Sequence, residues 1–317
     1  MPRPQRIHYE GAVYHVTSRG NERRKIVSND ADRWLFVRTL AEMIKEHEIL
    51  CHAWVLMDNH YHLLLETPSA NLSSAMKHLN GIYTQKFNRT HHRVGHLFQG
   101  RYKDVVVDKN THLQELCRYI VLNPVRAGMV KETKQWKWSS YRATAGLEKA
   151  EPWLEIFWIL GQFGKNLRQA QKSYKRFVDE GVNKKDSPWD EAVSRLYLGG
   201  ETFLEKMEGL VKGNKNLDIP KHQRRIVRPT PEAVLNRVAQ SYKVRIADIQ
   251  KPHSRNNEAR DAAIYLLKTE AGLSAKAIGY KLGVIPSAIS NRWNLMKRRV
   301  AEDKALAQRI LKCYLLA

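Results

Sequence analysis

The chain has 317 residues, enough for two domains with a helical connector, and 43% of them are hydrophobic, enough for real cores. It carries 54 Lys and Arg against 32 Asp and Glu, a formal net charge of +22. So large an imbalance, spread along the chain, argues against a neutral small-molecule enzyme and implies a polyanionic partner, with nucleic acid the leading candidate. Three cysteines, Cys51, Cys117 and Cys313, are far apart and odd in number. They give neither a disulfide framework nor zinc spacing, and they fit a reducing cytoplasm, where a nucleic-acid partner would make the chain nucleoid-associated. The N-terminal residues are basic but lack the apolar stretch of a signal peptide, and no apolar run of about 18 residues predicts a membrane span.

In chain order, 11–18 is β-branched and aromatic, a predicted strand broken by Arg19-Gly20-Asn21. Asp30 is the expected N-cap of a helix over 31–46, with Leu35, Phe36, Leu40 and Ile44 on one face. Two strands follow, 49–57 and 60–66, joined by a turn of two or three residues. A second helix is predicted over 71–87, with Leu72, Met76, Leu79 and Tyr83 at helical spacing. After a basic, His-rich loop, 102–108 reads as a fourth strand and 111–122 as a third helix that stops before Asn123-Pro124. The order strand-helix-strand-strand-helix-strand predicts an α+β, ferredoxin-like domain: a four-stranded antiparallel sheet with two helices on one face and a third appended. Its expected bounds are 1–145. Residues 146–218 read as a mostly helical connector, with a polar, Pro-containing linker over 212–228. Residues 219–317 read as an all-α domain with 20 Lys and Arg against 7 Asp and Glu, a net +13. Within it 273–297 has a helix-turn-helix layout. Gly279 is small at the expected crossing, Gly283 makes the turn, Pro286 opens the second helix, and Ile278, Leu282 and Ile289 fill the contact.

Chemistry gathers at two places. His60-Tyr61-His62 opens the third strand, and strand alternation sends both imidazoles to one face, roughly 7 Å apart along the backbone. Such a pair can grip a divalent metal. On the motif alone, two hydrogen-bonded strand histidines are an equal alternative. In the third helix Tyr119 and Asn123, four apart, share a face. The Asn123 carbonyl oxygen suits a hard ion, Mg²⁺ or Mn²⁺, and Tyr119 would then stand beside it. The plain alternative is a packed tyrosine and an asparagine that ends the helix.

These residues, with Tyr14-His15-Val16-Thr17-Ser18-Arg19-Gly20-Asn21, 54–65, 96–102 and 119–128, resemble the single-tyrosine HUH transposases of the IS200/IS605 group. The chain is most similar to the REP-associated tyrosine transposases, over roughly residues 1–145. It carries Asp58 where many relatives have proline. The region from Ala259-Arg260-Asp261 to Arg292 is similar to the helix-turn-helix of DnaA and the Trp repressor, with Arg292 where an apolar residue is common and Trp293 next. The resemblance implies cleavage of single-stranded DNA beside a palindromic repeat hairpin. Tyr119 would be the nucleophile, the metal would sit on His60, His62 and Asn123, and the products would be a 5′-phosphotyrosine and a free 3′-hydroxyl. The metal, Arg118 and Arg126 are the candidates to favour the phenolate, and the sequence does not choose among them. Single-strand contacts are expected from Arg3, Arg6, Arg19, Asn21, Arg23, Arg24 and Arg101 together with Arg118 and Arg126. Contacts to the hairpin stem are expected from Ser287, Ser290, Asn291 and Arg292. Two other readings stay open: a DNA-binding regulator that keeps the fold without catalysis, and a metal-dependent hydrolase that uses water. Insertion-sequence relatives dimerise; the C-terminal extension here leaves a monomer open.

Overall fold

The computed structural model describes residues 8–182, 197–198, 203, 207, 229–251 and 257–314. The expected linker 212–228 and the arm residues Arg3 and Arg6 lie outside them. The chain divides into two compact units, each built from two stretches: Met1–Tyr141 with Val178–Ile226, and Arg142–Phe177 with Val227–Ala317. Of these borders only 177/178 falls inside the stretch read as a connector, 146–218; the others lie just outside it, at 141/142 and 226/227.

In the first unit β1 (Ala12–Arg19), α1 (Asp30–Glu46), β2 (Leu50–Leu56), β3 (His60–Thr67), α2 (Leu72–Thr90), β4 (Lys103–Val107) and α3 (Lys109–Arg126) follow the predicted order. The strands lie side by side as β2-β3-β1-β4, all antiparallel, the ferredoxin-like order. A short fifth strand, β5 (Tyr197–Leu198), extends the sheet parallel to β4. Its two residues carry no alternation to read, so only the pairing with Val106 and Val107 reveals it.

Alternation along β1 and β3 sorts the two faces of the sheet. Tyr61 points toward α1 and α2: its ring packs on Phe36 at 5.0 Å and its hydroxyl donates to Asn80 at 2.6 Å. Phe36, Tyr61, Tyr83 and Phe98 form an aromatic core there. His60 and His62 therefore face the other way. The third helix covers that second face, packing on β2 and β3.

Two local expectations need correction. The N-cap of α1 is Asn29, whose side chain accepts from the Asp32 amide at 3.0 Å; Asp30 is already helical. And α3 does not stop at Leu122: it runs through Pro124 to Arg126. Proline lacks the amide that would bond the carbonyl four residues back, Ile120. The Asn123 side chain replaces that donor, its Nδ2 reaching the Ile120 carbonyl at 3.2 Å and that of Tyr119 at 2.9 Å.

The second unit is helical: α4 (Tyr141–Thr144) begins at its border, followed by α5 (Phe157–Gly161), α6 (Leu167–Glu180), α7 (Pro231–Tyr242), α8 (Ile246–Gln250), α9 (Glu258–Thr269), α10 (Ala275–Leu282), α11 (Pro286–Glu302) and α12 (Lys304–Cys313). A tight turn joins α10 to α11. Gly283 caps α10 at φ 63°, and a Cβ on Gly279 would collide with the Val284 carbonyl. Ser274 caps the start of α10, accepting from the Ala277 amide. Ala259-Arg260-Asp261 staples this turn. Arg260, 5% exposed, donates to the carbonyls of Ile249 and Leu282, and Asp261 receives Arg292 at 2.9 Å. All three cysteines are buried thiols. No helix among the described residues is long and apolar enough to cross a membrane.

Candidate functional site

His60 and His62 stand at the start of β3, their ring centroids 5.1 Å apart. The turn before them is Asp58-Asn59, closed by the Met57 amide donating to the His60 carbonyl. Asp58 holds Arg33 at 2.6 Å in an ion pair. Asn59 anchors His60. Its Nδ2 donates to the Arg23 carbonyl at 3.0 Å, which leaves its Oδ1 to accept from His60 Nδ1 at 2.6 Å. His60 thus presents Nε2. His62, 9% exposed, meets His15 of β1: His62 Nδ1 and His15 Nε2 are 2.9 Å apart and the rings stack at 5.1 Å.

Burial holds all three imidazoles neutral. It lowers the pKa of His15 to about 3 and is the largest cause of the fall of His60 to about 4, with Arg19 adding to it. His62 falls well below its ordinary value, first by burial, then by His15, His60 and Arg19. A neutral imidazole is the form that ligates a metal.

From the covering helix, the Tyr119 ring lies edge-on to His62, centroids 6.2 Å apart. The Arg126 guanidinium sits 5.1 Å over the Tyr119 ring. The other tyrosines near the sheet are committed elsewhere. Tyr61 and Tyr83 are fully buried, with hydroxyls bonded to Asn80 and the Ile26 carbonyl, and burial raises both pKa values. Tyr102 shares its hydroxyl with Ser73. Asn123 lies one turn beyond Tyr119. Because its two partners are carbonyls, the atom facing them is Nδ2, and Oδ1 is the acceptor turned away from them.

A basic rim borders the His60 end of the sheet. Arg19 is the register partner of His60. The Asn21–Arg23 turn is pinned beside the histidines by the Gly20 amide on the Asn59 carbonyl. The Gln99 amide on the Arg19 carbonyl draws in the loop bearing Arg101. Arg19, Asn21, Arg23, Arg24 and Arg101 are exposed. Arg24 shares its charge with Glu22 at 2.6 Å.

Arg118 does not belong to this surface, contrary to expectation. It is 6% exposed, pairs with Glu115, and lies so close to Gly181 that a Cβ there would strike its Cδ. A side chain so enclosed reaches no phosphate. In the second unit, Ile289, Trp293, Met296 and Val300 point inward from α11. The exposed stripe is therefore Ser287, Asn291, Leu295 and Arg298. Two predicted stem contacts are tied down instead: Arg292 by Asp261, and the Ser290 hydroxyl by the Pro286 carbonyl at 3.2 Å.

Residues 8–123 match the family model described as "Transposase IS200 like", a match that begins before β1 and ends on Asn123. This stretch is similar to the IS200-like transposases over about a third of the chain. Among solved structures the chain is similar to a REP-associated tyrosine transposase bound to a REP hairpin, at 18% identity and a TM-score of 0.40, over 49% of this chain and 90% of that one. It is also similar to a protein of Deinococcus radiodurans R1 assigned as a transposase, at 21% identity and a TM-score of 0.28, over 38% of this chain and 95% of that one. No curated protein matches. The matched stretch contains all four residues expected to act, His60, His62, Tyr119 and Asn123. Two residues that the sequence did not single out, His15 and Asn59, complete the hydrogen bonding of its histidines. Among the described residues, the one trio of His, Cys, Asp or Glu side chains close enough to share an ion is Glu46, His47 and His78. It lies where α1 ends against α2, on the opposite face of the sheet from His60 and His62, with Glu46 and His78 in contact at 3.3 Å.

Proposed function

We propose that the protein is a metal-dependent single-strand DNA endonuclease and strand transferase, with Tyr119 as nucleophile. The observation that carries this reading is the meeting of Tyr119 with His62 and His60 on one sheet face, under one helix. The donor set fits a hard divalent ion such as Mg²⁺ or Mn²⁺: two neutral imidazoles whose Nδ1 atoms are occupied, and an amide oxygen. His60 Nε2, His62 Nε2 and Asn123 Oδ1 would hold it. The ion, when bound, supplies Lewis-acid neutralisation of a phosphate oxygen.

The chain's own residues do the rest. The Tyr119 oxygen forms a bond to phosphorus, and the bond from phosphorus to the 3′ oxygen breaks. The phenolic proton leaves to solvent and the departing 3′ oxygen takes one up. The products are a 5′-phosphotyrosine and a free 3′-hydroxyl, and a second 3′-hydroxyl can reverse or redirect the join. Arg126, over the Tyr119 ring, lies close enough to pair with a phosphate brought to the tyrosine oxygen. Arg19, Arg23, Arg24 and Arg101 bind the phosphates of a single strand, and Asn21 offers an amide to base edges. In the second unit α10, the turn and α11 act as a helix-turn-helix on the hairpin stem, through Ser287, Asn291 and Arg298. The partner is thus single-stranded DNA flanking a palindromic hairpin, bound by one copy of the chain.

The test is a denaturing gel with labelled hairpin DNA carrying a single-stranded flank. Wild type with Mg²⁺ or Mn²⁺ gives a protease-sensitive covalent band that chelator and Tyr119→Phe both abolish. Tight binding without a band in either metal would instead favour the non-catalytic regulator.

A further inference from the structure

We infer that His15 is a positioning residue that fixes the tautomer and ring orientation of His62, and through it the affinity of the site for its metal. This rests on the metal reading above but is separable from it. His15 and His62 lie on neighbouring antiparallel strands: Thr17 is the partner of His62, and His15 is two residues on, so both imidazoles share one face. His15 is 4% exposed and His62 9%. Their rings stack with 19° between planes, and the 2.9 Å contact joins Nε2 of one to Nδ1 of the other.

Two neutral imidazoles at that distance hold one proton between the facing nitrogens. A His62 that ligates through Nε2 must carry its proton on Nδ1. The proton in the contact is then donated by His62, and His15 Nε2 accepts. The alternative, His15 as a direct ligand beside His60 and His62, fails on geometry. Among the described residues those three do not bring their nitrogens within 4.8 Å of one another, whereas Glu46, His47 and His78 do. His15 therefore acts on the metal through His62, as partners on the far nitrogen of a metal-bound histidine do elsewhere. Asn59 does the equivalent for His60, so the two metal-facing nitrogens are set from opposite sides of the strand end.

The experiment uses the full chain in three forms: wild type, His15→Phe, which keeps a ring but offers no acceptor, and His15→Gln, whose amide oxygen reaches where Nε2 was. Mn²⁺ binding is followed by electron paramagnetic resonance, with His60→Ala as the control that defines the site. Histidine ¹⁵N spectra of metal-free protein report the His62 tautomer directly, and circular dichroism melts confirm folding. The expected result is a His62 protonated at Nδ1. His15→Phe should weaken Mn²⁺ about 10–100-fold, with recovery in His15→Gln. Unchanged Mn²⁺ affinity in a folded His15→Phe, or a His62 protonated at Nε2 in wild type, overturns the inference while leaving the metal site standing. Mn²⁺ binding in wild type that ignores His60→Ala defeats the metal reading instead, and the ¹⁵N spectrum still decides the role of His15. Should His15→Phe fail to fold, the His15→Gln affinity and the wild-type spectrum decide it.

Discussion

The sheet face under α3 and the turn between α10 and α11 both present polar side chains, but they are held in opposite ways. At the sheet, polar groups are buried or half-buried and interlocked: His15 and Tyr119 on His62 across long sequence distances, and Asn59 on its neighbour His60. At the turn, Ser287 and Asn291 stand in solvent, and the stapling is done behind them by Arg260, Asp261 and Arg292. A pre-set, desolvated constellation is what covalent chemistry needs. An exposed stripe on a stapled pair of helices is what a groove-reading surface needs.

The comparison can be broken most severely at Tyr119. Replacing it with Phe should lower covalent adduct by at least ~10³-fold while hairpin affinity, read by a filter or anisotropy assay, stays within about twofold. Next comes the turn: Gly279→Val must push the Val284 carbonyl away, and unfolding of the second unit should come earlier by about 1–3 kcal/mol in a denaturant titration. The same variant should still form adduct on a single-stranded substrate.

Acid should separate the two regions as well. The folded pKa values of His15 and His60, about 3 and about 4, lie below the unfolded value near 6.5. Below pH 6.5 the unfolded chain therefore takes up protons that the folded sheet refuses. Stability is level above 6.5 and falls as the pH drops toward 4. The melting temperature of the first unit should drop by roughly 10 °C between pH 7 and 4.5, and a pH series of melts checks it.

Smaller effects sharpen the roles within α3. Asn123→Asp keeps an oxygen for a metal but loses the donor that replaces the missing amide of Pro124. It should cost about 1–2 kcal/mol of stability yet retain Mn²⁺ binding. Arg118→Ala should lower the melting temperature without changing DNA affinity, whereas Arg126→Ala, which removes a phosphate-pairing charge beside Tyr119, should leave the melt alone and slow adduct formation about tenfold.

Much of this was legible in the sequence. Strand alternation and helical spacing gave the β-α-β-β-α-β order, and the His-x-His pair and Tyr119, which the structure brings together, were the sequence's candidates for the site. What was hidden depended on partners distant in the chain or on a side chain standing in for backbone. The Asn123-Pro124 pair reads as a stop until the amide is seen to supply the lost donor. The Arg118 charge reads as surface until Glu115 and Gly181 enclose it. His15 left one trace, a polar residue on the same strand face as Thr17 and Arg19, but only pairing with β3 shows what it touches.

Peptide mapping of a trapped adduct by mass spectrometry tests the central claim most directly. The protein is incubated with hairpin DNA and Mn²⁺, digested with protease and nuclease, and the modified peptide sequenced. The account predicts a nucleotide joined through its 5′-phosphate to Tyr119. The same modification on another tyrosine, or on none while the DNA is cut, would contradict it.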